Sequence, residues 1–287
     1  MRGTDIHLSV ITVTYNCREL LPRTLKSVSE QTFPSVEHII VDGASTDGTL
    51  ELIREYLELS IENEARPGAW ISEPDKGIYD AMNKGLHMAR GKYVLFLNAG
   101  DTFYSNDTLN EVFSGSGSVA AAADPGEAGS GPAAATGPGE TGSSPAAANT
   151  AGADIYYGQT KLTDREGRIT GDRRLRAPEQ LNWRSFRYGM LVCHQSFIVR
   201  RAIAPEYDLS WQICADIDWC IRCMKAAEKI KNSHVYISCF LEGGVSRQQE
   251  KKAWRERFAI MKNHYGLGVA LLSHLYIALR FLWQRGR

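Results

Sequence analysis

LSVITVTYNCRELLPRTLKSVSEQTFPSVEHIIVDGASTDGT, residues 8–49, contains the repeat that decides the fold. Leu8–Thr14 is a short run rich in β-branched residues, and it ends in a polar turn, Tyr15-Asn16-Cys17. Between Glu19 and Gln31, Leu20, Leu21, Leu25 and Val28 recur at helical spacing, and Val36–Asp42 is again apolar and β-branched. A second helix is expected from Asp47, with Asp47 itself as the cap. Outward from this unit the order returns at Ala69–Ser72 with a helix from Gly77, and at Lys92–Leu97 after Gly91. Such alternation predicts parallel strands joined by right-handed helical crossovers. Ligands of such sheets gather beyond the carboxyl ends of the strands, where Asn16, Asp42, Asp75 and Asp101 fall.

The second half reads differently. Residues 115–153 are dominated by alanine, glycine, serine, threonine and proline, without aromatic, leucine, isoleucine or basic residues, a composition expected of a flexible insertion. Ile155–Leu162 and Arg168–Thr170 flank the turn sequence Asp164–Gly167 as a hairpin, and Cys193–Val199 reads as a buried strand. Asp216–Lys229 and Gln248–His264 have helical patterns, with a strand at His234–Phe240 between them. The tail Leu267–Trp283 is apolar but interrupted by His274 and Arg280, and it is followed by Arg285 and Arg287. A spanning helix is not expected; a helix lying in a membrane interface and one docked on the protein or on a second subunit both remain open. Four segments follow: 1–114, the insertion 115–153, 154–245, and the C-terminal helices 246–287.

Of the 287 residues, 33 are Lys or Arg and 33 Asp or Glu, so no overall field draws the chain to nucleic acid. Six scattered cysteines and no opening signal peptide suggest a reducing, cytoplasmic compartment, and the Cys220–Cys223 pair reads as structural. No GxGxxG follows the first strand, which disfavours a dinucleotide oxidoreductase. Asp42 ends a strand and is followed by small residues, Gly43-Ala44-Ser45, that admit a ring or phosphate; it could accept hydrogen bonds from a base or ribose, or serve only as a turn aspartate. Asp101, just past a buried strand in FLNAGD (96–101), suits a hard divalent cation that keeps room for phosphate oxygens. Neutral Asn98 would orient ribose or a metal-bound water, and both residues could equally cap a turn.

LSVITVTYN, VDGASTDGT, EPDKGIYDAMNKG, GKYVLFLNAGD, CHQSFIVRR and ADIDW, in this order, resemble the family 2 glycosyltransferases, in particular bacterial polysaccharide-assembly enzymes. The resemblance implies a GT-A fold: a Rossmann-like, mixed α/β sheet flanked by helices, here with a C-terminal amphipathic helical tail. It makes residues 1–114 the nucleotide-sugar half and 154–245 the acceptor half. It places Thr14, Asn16, Asp42, Asp75, Lys76 and Asn98 around the donor and Asp101 on Mg2+ or Mn2+, although the acidic residues usual at 98 and 100 are missing. It puts the catalytic base at Asp216, with Asp218 as the alternative. Asp218 is otherwise expected on the acceptor side with His194 and Gln195, and His194 could meet diphosphate or acceptor.

The implied reaction is inverting transfer of a sugar from a nucleotide-diphosphate sugar to a hydroxyl of a saccharide or lipid-linked saccharide, in polysaccharide biosynthesis at the inner face of the plasma membrane. A non-catalytic sugar-nucleotide or carbohydrate-binding module and a nucleotidyltransferase are the alternatives. The second would be expected to show a glycine-rich basic loop, which Thr12–Arg18 is not.

Overall fold

The computed structural model describes residues 6–62, 68–114, 152–243 and 249–285. The sheet has nine strands: β1 (Leu8–Thr14), β2 (Val36–Asp42), β3 (Gly68–Ser72), β4 (Tyr93–Phe96), β5 (Thr102–Phe103), β6 (Ile155–Thr163), β7 (Ile169–Asp172), β8 (Phe197–Arg200) and β9 (Ile230–Leu241). Their order is β3-β2-β1-β4-β8-β6-β9-β5, with β7 paired to β6. The first four pair in parallel, as the alternation predicts. β8 runs antiparallel to both β4 and β6, and β6 is parallel to β9, so the two halves close into one mixed sheet.

The crossovers are α1 (Leu21–Ser29), α2 (Thr49–Glu62) and α3 (Ile78–Met88). Every residue of β1 and β2 is buried, the mark of strands covered on both faces. α1 buries Leu21, Thr24, Leu25 and Val28, one stripe at helical spacing. Gly85 lets α3 press onto β1, since a Cβ there would stand 2.3 Å from Ile11 Cγ2. α4 (Thr108–Ser114) precedes the insertion, of which residues 115–151 lie outside the described residues; Gly152 and Ala153 are described, and Ala153 is buried, its carbonyl accepting from Tyr93 Oη at 2.9 Å. Then come α5 (Ala215–Ala226), α6 (Glu250–Tyr265) and α7 (Leu267–Arg285).

Several boundaries differ from the sequence reading for local reasons. The strand expected over Cys193–Val199 begins only at Phe197, because His194–Ser196 form a 3-10 turn in which the Ser196 N–H donates to the Cys193 carbonyl at 2.9 Å. α5 stops at Ala226 rather than Lys229, because Asp154 Oδ2 accepts from the N–H groups of Glu228 and Lys229 at 2.7 and 3.1 Å. β9 starts four residues before His234, and the two-residue strand β5 is too short for periodicity to reveal.

Trp219 of α5 is fully buried, stacked on Tyr207 at 5.0 Å and edge-on to Phe96 at 5.4 Å; its indole N–H donates to the Pro205 carbonyl. This aromatic block fixes α5 beneath the carboxyl end of β4. Cys220 and Cys223 lie in the same core, where burial pushes both thiols well above their usual range, consistent with packing rather than redox chemistry. Among the described residues no helix is long and apolar enough to cross a membrane.

Candidate active site

The strand exits do converge. Thr14 lies opposite Asp42 across β1 and β2, and the Ala99 N–H donates to the Val13 carbonyl, so the Asn98 turn stands beside the end of β1. Two buried polar atoms on these adjacent exits lack a protein partner, Thr14 Oγ1 and Asn98 Oδ1. Buried polar groups are normally satisfied, so orphaned ones at a strand exit mark where a ligand's polar atoms can bind.

The first loops are tied to one another. Asn16 adopts φ +49°, which asparagine tolerates, and its Oδ1 accepts from the Thr46 N–H at 2.9 Å while its own N–H donates to Ser45 Oγ at 2.8 Å. Asp42 is fully buried and accepts from the Ser45 N–H at 2.9 Å, Ser45 Oγ at 2.5 Å and Ser72 Oγ at 2.7 Å. Asp42 therefore shapes the loop with most of its acceptor capacity. A Cβ on Gly43 would lie 2.9 Å from Asp75 Oδ2 and 3.2 Å from Tyr15 Cδ2, so glycine lets the Asp75 carboxylate lie against this turn. Asp75 pairs with Lys84 at 2.5 Å, while Lys76 is exposed and its backbone N–H donates to Asp80 at 2.9 Å. Asp47 accepts from the Thr49 N–H at the start of α2, as a capping residue would, and also from the Arg18 N–H.

Asp101 is buried to 3% exposure. Its Oδ2 accepts from Gln195 Nε2 at 2.8 Å and its Oδ1 from the Leu241 N–H at 2.9 Å. Burial pushes its carboxyl up to about 6 against the pull of those two bonds and of the nearby His194 and Arg23. α1 holds the same turn from the other side: Thr24 Oγ1 donates to the Asp101 carbonyl at 2.7 Å and Arg23 Nε to the Gly100 carbonyl. Gln195, expected toward an acceptor, thus turns its side chain onto Asp101.

Across from this turn stands α5. Asp216, in its first turn, has one oxygen accepting from the Ile217 N–H at 2.9 Å and lying 3.4 Å from Tyr79 Oη. Its other oxygen is 3.5 Å from His194 Nδ1, and the far ring nitrogen of His194 is 3.4 Å from Asn98 Nδ2. His194 therefore bridges the Asn98 turn and Asp216. Asp218 points elsewhere: its oxygens meet Arg222 Nε of the same helix and His264 Nε2 of α6, each at 2.7 Å, and the second joins α5 to α6. Burial alone would raise the Asp218 carboxyl, but these two partners hold it below the usual range.

One residue that sequence reading missed positions this helix. Glu256 of α6 is buried and accepts from the N–H groups of Gln212, Ile213 and Cys214 at 3.1, 2.8 and 3.0 Å, the segment leading into Asp216. Nothing in a charged helical run singles it out. Glu256→Gln, which places an amide N–H2 against those donors, is expected to cost about 2 kcal/mol of stability. Denaturant unfolding of the two proteins checks this; equal midpoints would show the three bonds to be dispensable.

Residues 9–114 match the family described as Glycosyl transferase family 2. Over these residues, somewhat more than a third of its length, the chain is similar to that family. It is a glycosyltransferase by class, and its mixed, helix-flanked sheet is the GT-A fold. A PGL/p-HBAD biosynthesis glycosyltransferase of Mycobacterium bovis is 28% identical over 92% of this chain and 87% of its own. The crystal structure of Staphylococcus aureus TarS residues 1–349 in complex with UDP has a TM-score of 0.60 at 18% identity, covering 88% of this chain and 64% of that one. The chain thus spans slightly less than two thirds of that solved protein. The mannosyltransferase PcManGT of Pyrobaculum calidifontis, in complex with GDP-Man and Mn2+, has a TM-score of 0.52 at 18% identity, covering 95% of this chain and 75% of that one. At these identities the two structures speak for the fold alone.

Among the described residues no group of three His, Cys, Asp or Glu side chains could hold a metal by itself. The oxygens in this turn that could face a metal are those of the Asp101 carboxylate, which accepts from Gln195 and the Leu241 N–H, and the orphaned amide oxygen of Asn98. Two oxygen donors fit a hard divalent cation that takes its remaining ligands from a diphosphate and water.

Proposed function

We propose that this glycosyltransferase moves a sugar from a nucleotide-diphosphate sugar to a hydroxyl of a saccharide or lipid-linked saccharide, with inversion at the anomeric carbon, in polysaccharide biosynthesis at the cytoplasmic face of the plasma membrane. The observation that carries the reading is the facing arrangement of Asp216 and the Asn98 turn, bridged by His194. Thr14, Asn16, Asp42, Asp75 and Lys76 form the rim from which donor contacts come. Thr14 Oγ1 offers an unused polar atom, while Asn16 and Asp42 hold the loop shape that receives the base.

Asp216 is the general base. An acceptor hydroxyl is a poor nucleophile at neutral pH, and a carboxylate within hydrogen-bond reach takes its proton as attack proceeds. The Ile217 N–H orients one of the Asp216 oxygens, and the other lies 3.5 Å from His194 Nδ1. The bonds of Asp218 to Arg222 and His264 support giving the role to Asp216. His194, set between base and donor turn, contacts the reacting groups from the side. Asp101 and Asn98 would hold Mg2+ or Mn2+, and Gln195 would keep the Asp101 carboxylate in place. When bound, that cation offsets the negative charge that grows on the departing diphosphate.

Thermal melting of the purified protein against UDP-, GDP- and dTDP-sugars, with and without Mn2+, tests the donor reading, and release of nucleotide with an acceptor panel tests transfer. Stabilisation by one nucleotide class together with release is expected. No shift with any donor would sink the proposal, and a shift without release under any acceptor would turn it toward a binding module.

A further inference from the structure

α7 is packed the wrong way round for a helix facing water. Among its described side chains, those it buries or half-buries are Val269, Ala270, Ser273, His274, Ile277 and Ala278, four of the six small or polar. Its outer face carries Leu267, Leu271, Leu272, Leu275 and Leu279, each more than half exposed, with Tyr276 beside them. From 267 to 279 the sequence has no Lys, Arg, Asp or Glu. A surface helix ordinarily reverses this distribution, with its apolar stripe inward. An exposed apolar strip this continuous needs a partner.

Cationic chemistry lies on its flank. Tyr188 contacts Tyr276 edge-on at 5.6 Å, tying the helix to the turn that contains Trp183, Arg184 and Arg187. That turn lines an open groove of about 510 Å³, and none of the groove's lining residues is acidic. Arg184 and Lys225 stand over the Trp183 ring at 5.0 and 4.8 Å, and Arg187 over Tyr188 at 5.4 Å. Three cations on two amphipathic aromatic rings, beside a row of leucines, match the layering of a bilayer surface: phosphates outside, acyl chains beneath.

We propose that α7 and the Trp183–Tyr188 turn form one docking surface for an anionic lipid bilayer. The leucines of α7 enter the acyl boundary while Arg184, Arg187 and Lys225 meet lipid phosphates. A second copy of the chain is the poorer occupant, because pairing through this face would bring two cationic clusters onto one interface. The helix lies along the membrane and does not cross it. The proposal stands on surface chemistry and holds whichever sugar is transferred.

Co-sedimentation of the full chain with phosphatidylcholine vesicles and with mixed phosphatidylcholine and phosphatidylglycerol vesicles tests it. Binding to the mixed vesicles is expected to be about tenfold tighter or more, and to weaken with added salt. The double variant Leu271→Ser with Leu275→Ser and, separately, Arg184→Gln with Arg187→Gln should each lower that binding about tenfold. Both pairs are exposed or partly exposed, so circular dichroism melts should stay close to wild type. Equal binding to neutral and anionic vesicles, or indifference to either pair, would overturn the proposal. So would light scattering that finds a dimer dissolved by the leucine changes, with no vesicle binding.

Discussion

Asp216→Asn is expected to lower sugar transfer by about 10³-fold while leaving donor affinity within error of wild type. An amide cannot take the acceptor's proton, yet asparagine is nearly isosteric and keeps an oxygen for the Ile217 N–H. Asp218→Asn should do the reverse. It weakens the bond to Arg222 within α5 and the bond to His264 that joins α5 to α6, costing about 2 kcal/mol of stability, and leaves the base in place. Because the Asp218 carboxyl is held low in the folded protein, its contribution is present above the ordinary carboxylate range, near 4, and is lost as pH falls through the depressed value. Steady-state kinetics, donor calorimetry and urea unfolding on both variants separate the roles. If Asp218→Asn abolished turnover in a fully folded protein while Asp216→Asn did not, the assignment would be exchanged.

The second large effect is a conflict between stability and activity at Asp101. Burial makes the folded protein hold this proton up to about pH 6, against the ordinary 3.8. In the folded state the carboxyl thus binds its proton more strongly than in the unfolded chain, so metal-free protein gains stability as pH falls from about 6 toward 4 and loses it as pH rises through that window. At neutral pH the ionised form costs about 3 kcal/mol. Asp101→Asn removes that cost while still presenting an oxygen to the Leu241 N–H. It should therefore melt at or above wild type at pH 7.5 in chelator, and its stability should be flatter between pH 4 and 6. Transfer should nevertheless fall by about 10²-fold or more, with weaker donor binding in Mn2+, because the only carboxylate of the donor set is gone. Melts across pH check the first half and calorimetry with UDP the second. A variant less stable at every pH would mean that the bonds to Gln195 and Leu241 outweigh the burial.

The parallel half was legible because each of its elements carries a local signal. Leu8–Thr14 and Val36–Asp42 are apolar runs of strand length, Leu21, Leu25 and Val28 recur at helical spacing, and polar or small residues follow each strand end. The second half was less so. Asp154 ends α5 by capturing N–H groups 74 and 75 residues away, and no window of sequence contains both partners. Gln195 was readable as a polar residue near the site, but not that its amide would turn onto Asp101, 94 positions earlier. Glu256 gave no sign at all, since a glutamate on a charged helix has the same local pattern whether it faces water or three backbone donors.

The chain by itself determined the alternation of strands and helices, the polar residues at the strand exits, and the order of motifs that resembles family 2 glycosyltransferases. These rest on periodicity and turn chemistry, which act over a few residues. Only the tertiary structure decided which partners each acidic residue of α5 meets. Asp216 and Asp218 are two positions apart on one helix and alike in sequence, but a helix turns them about 200° from each other, toward His194 in one case and toward Arg222 and His264 in the other. It alone also turned the leucines of α7 outward, because what a helix buries depends on the surface it meets and not on its own pattern.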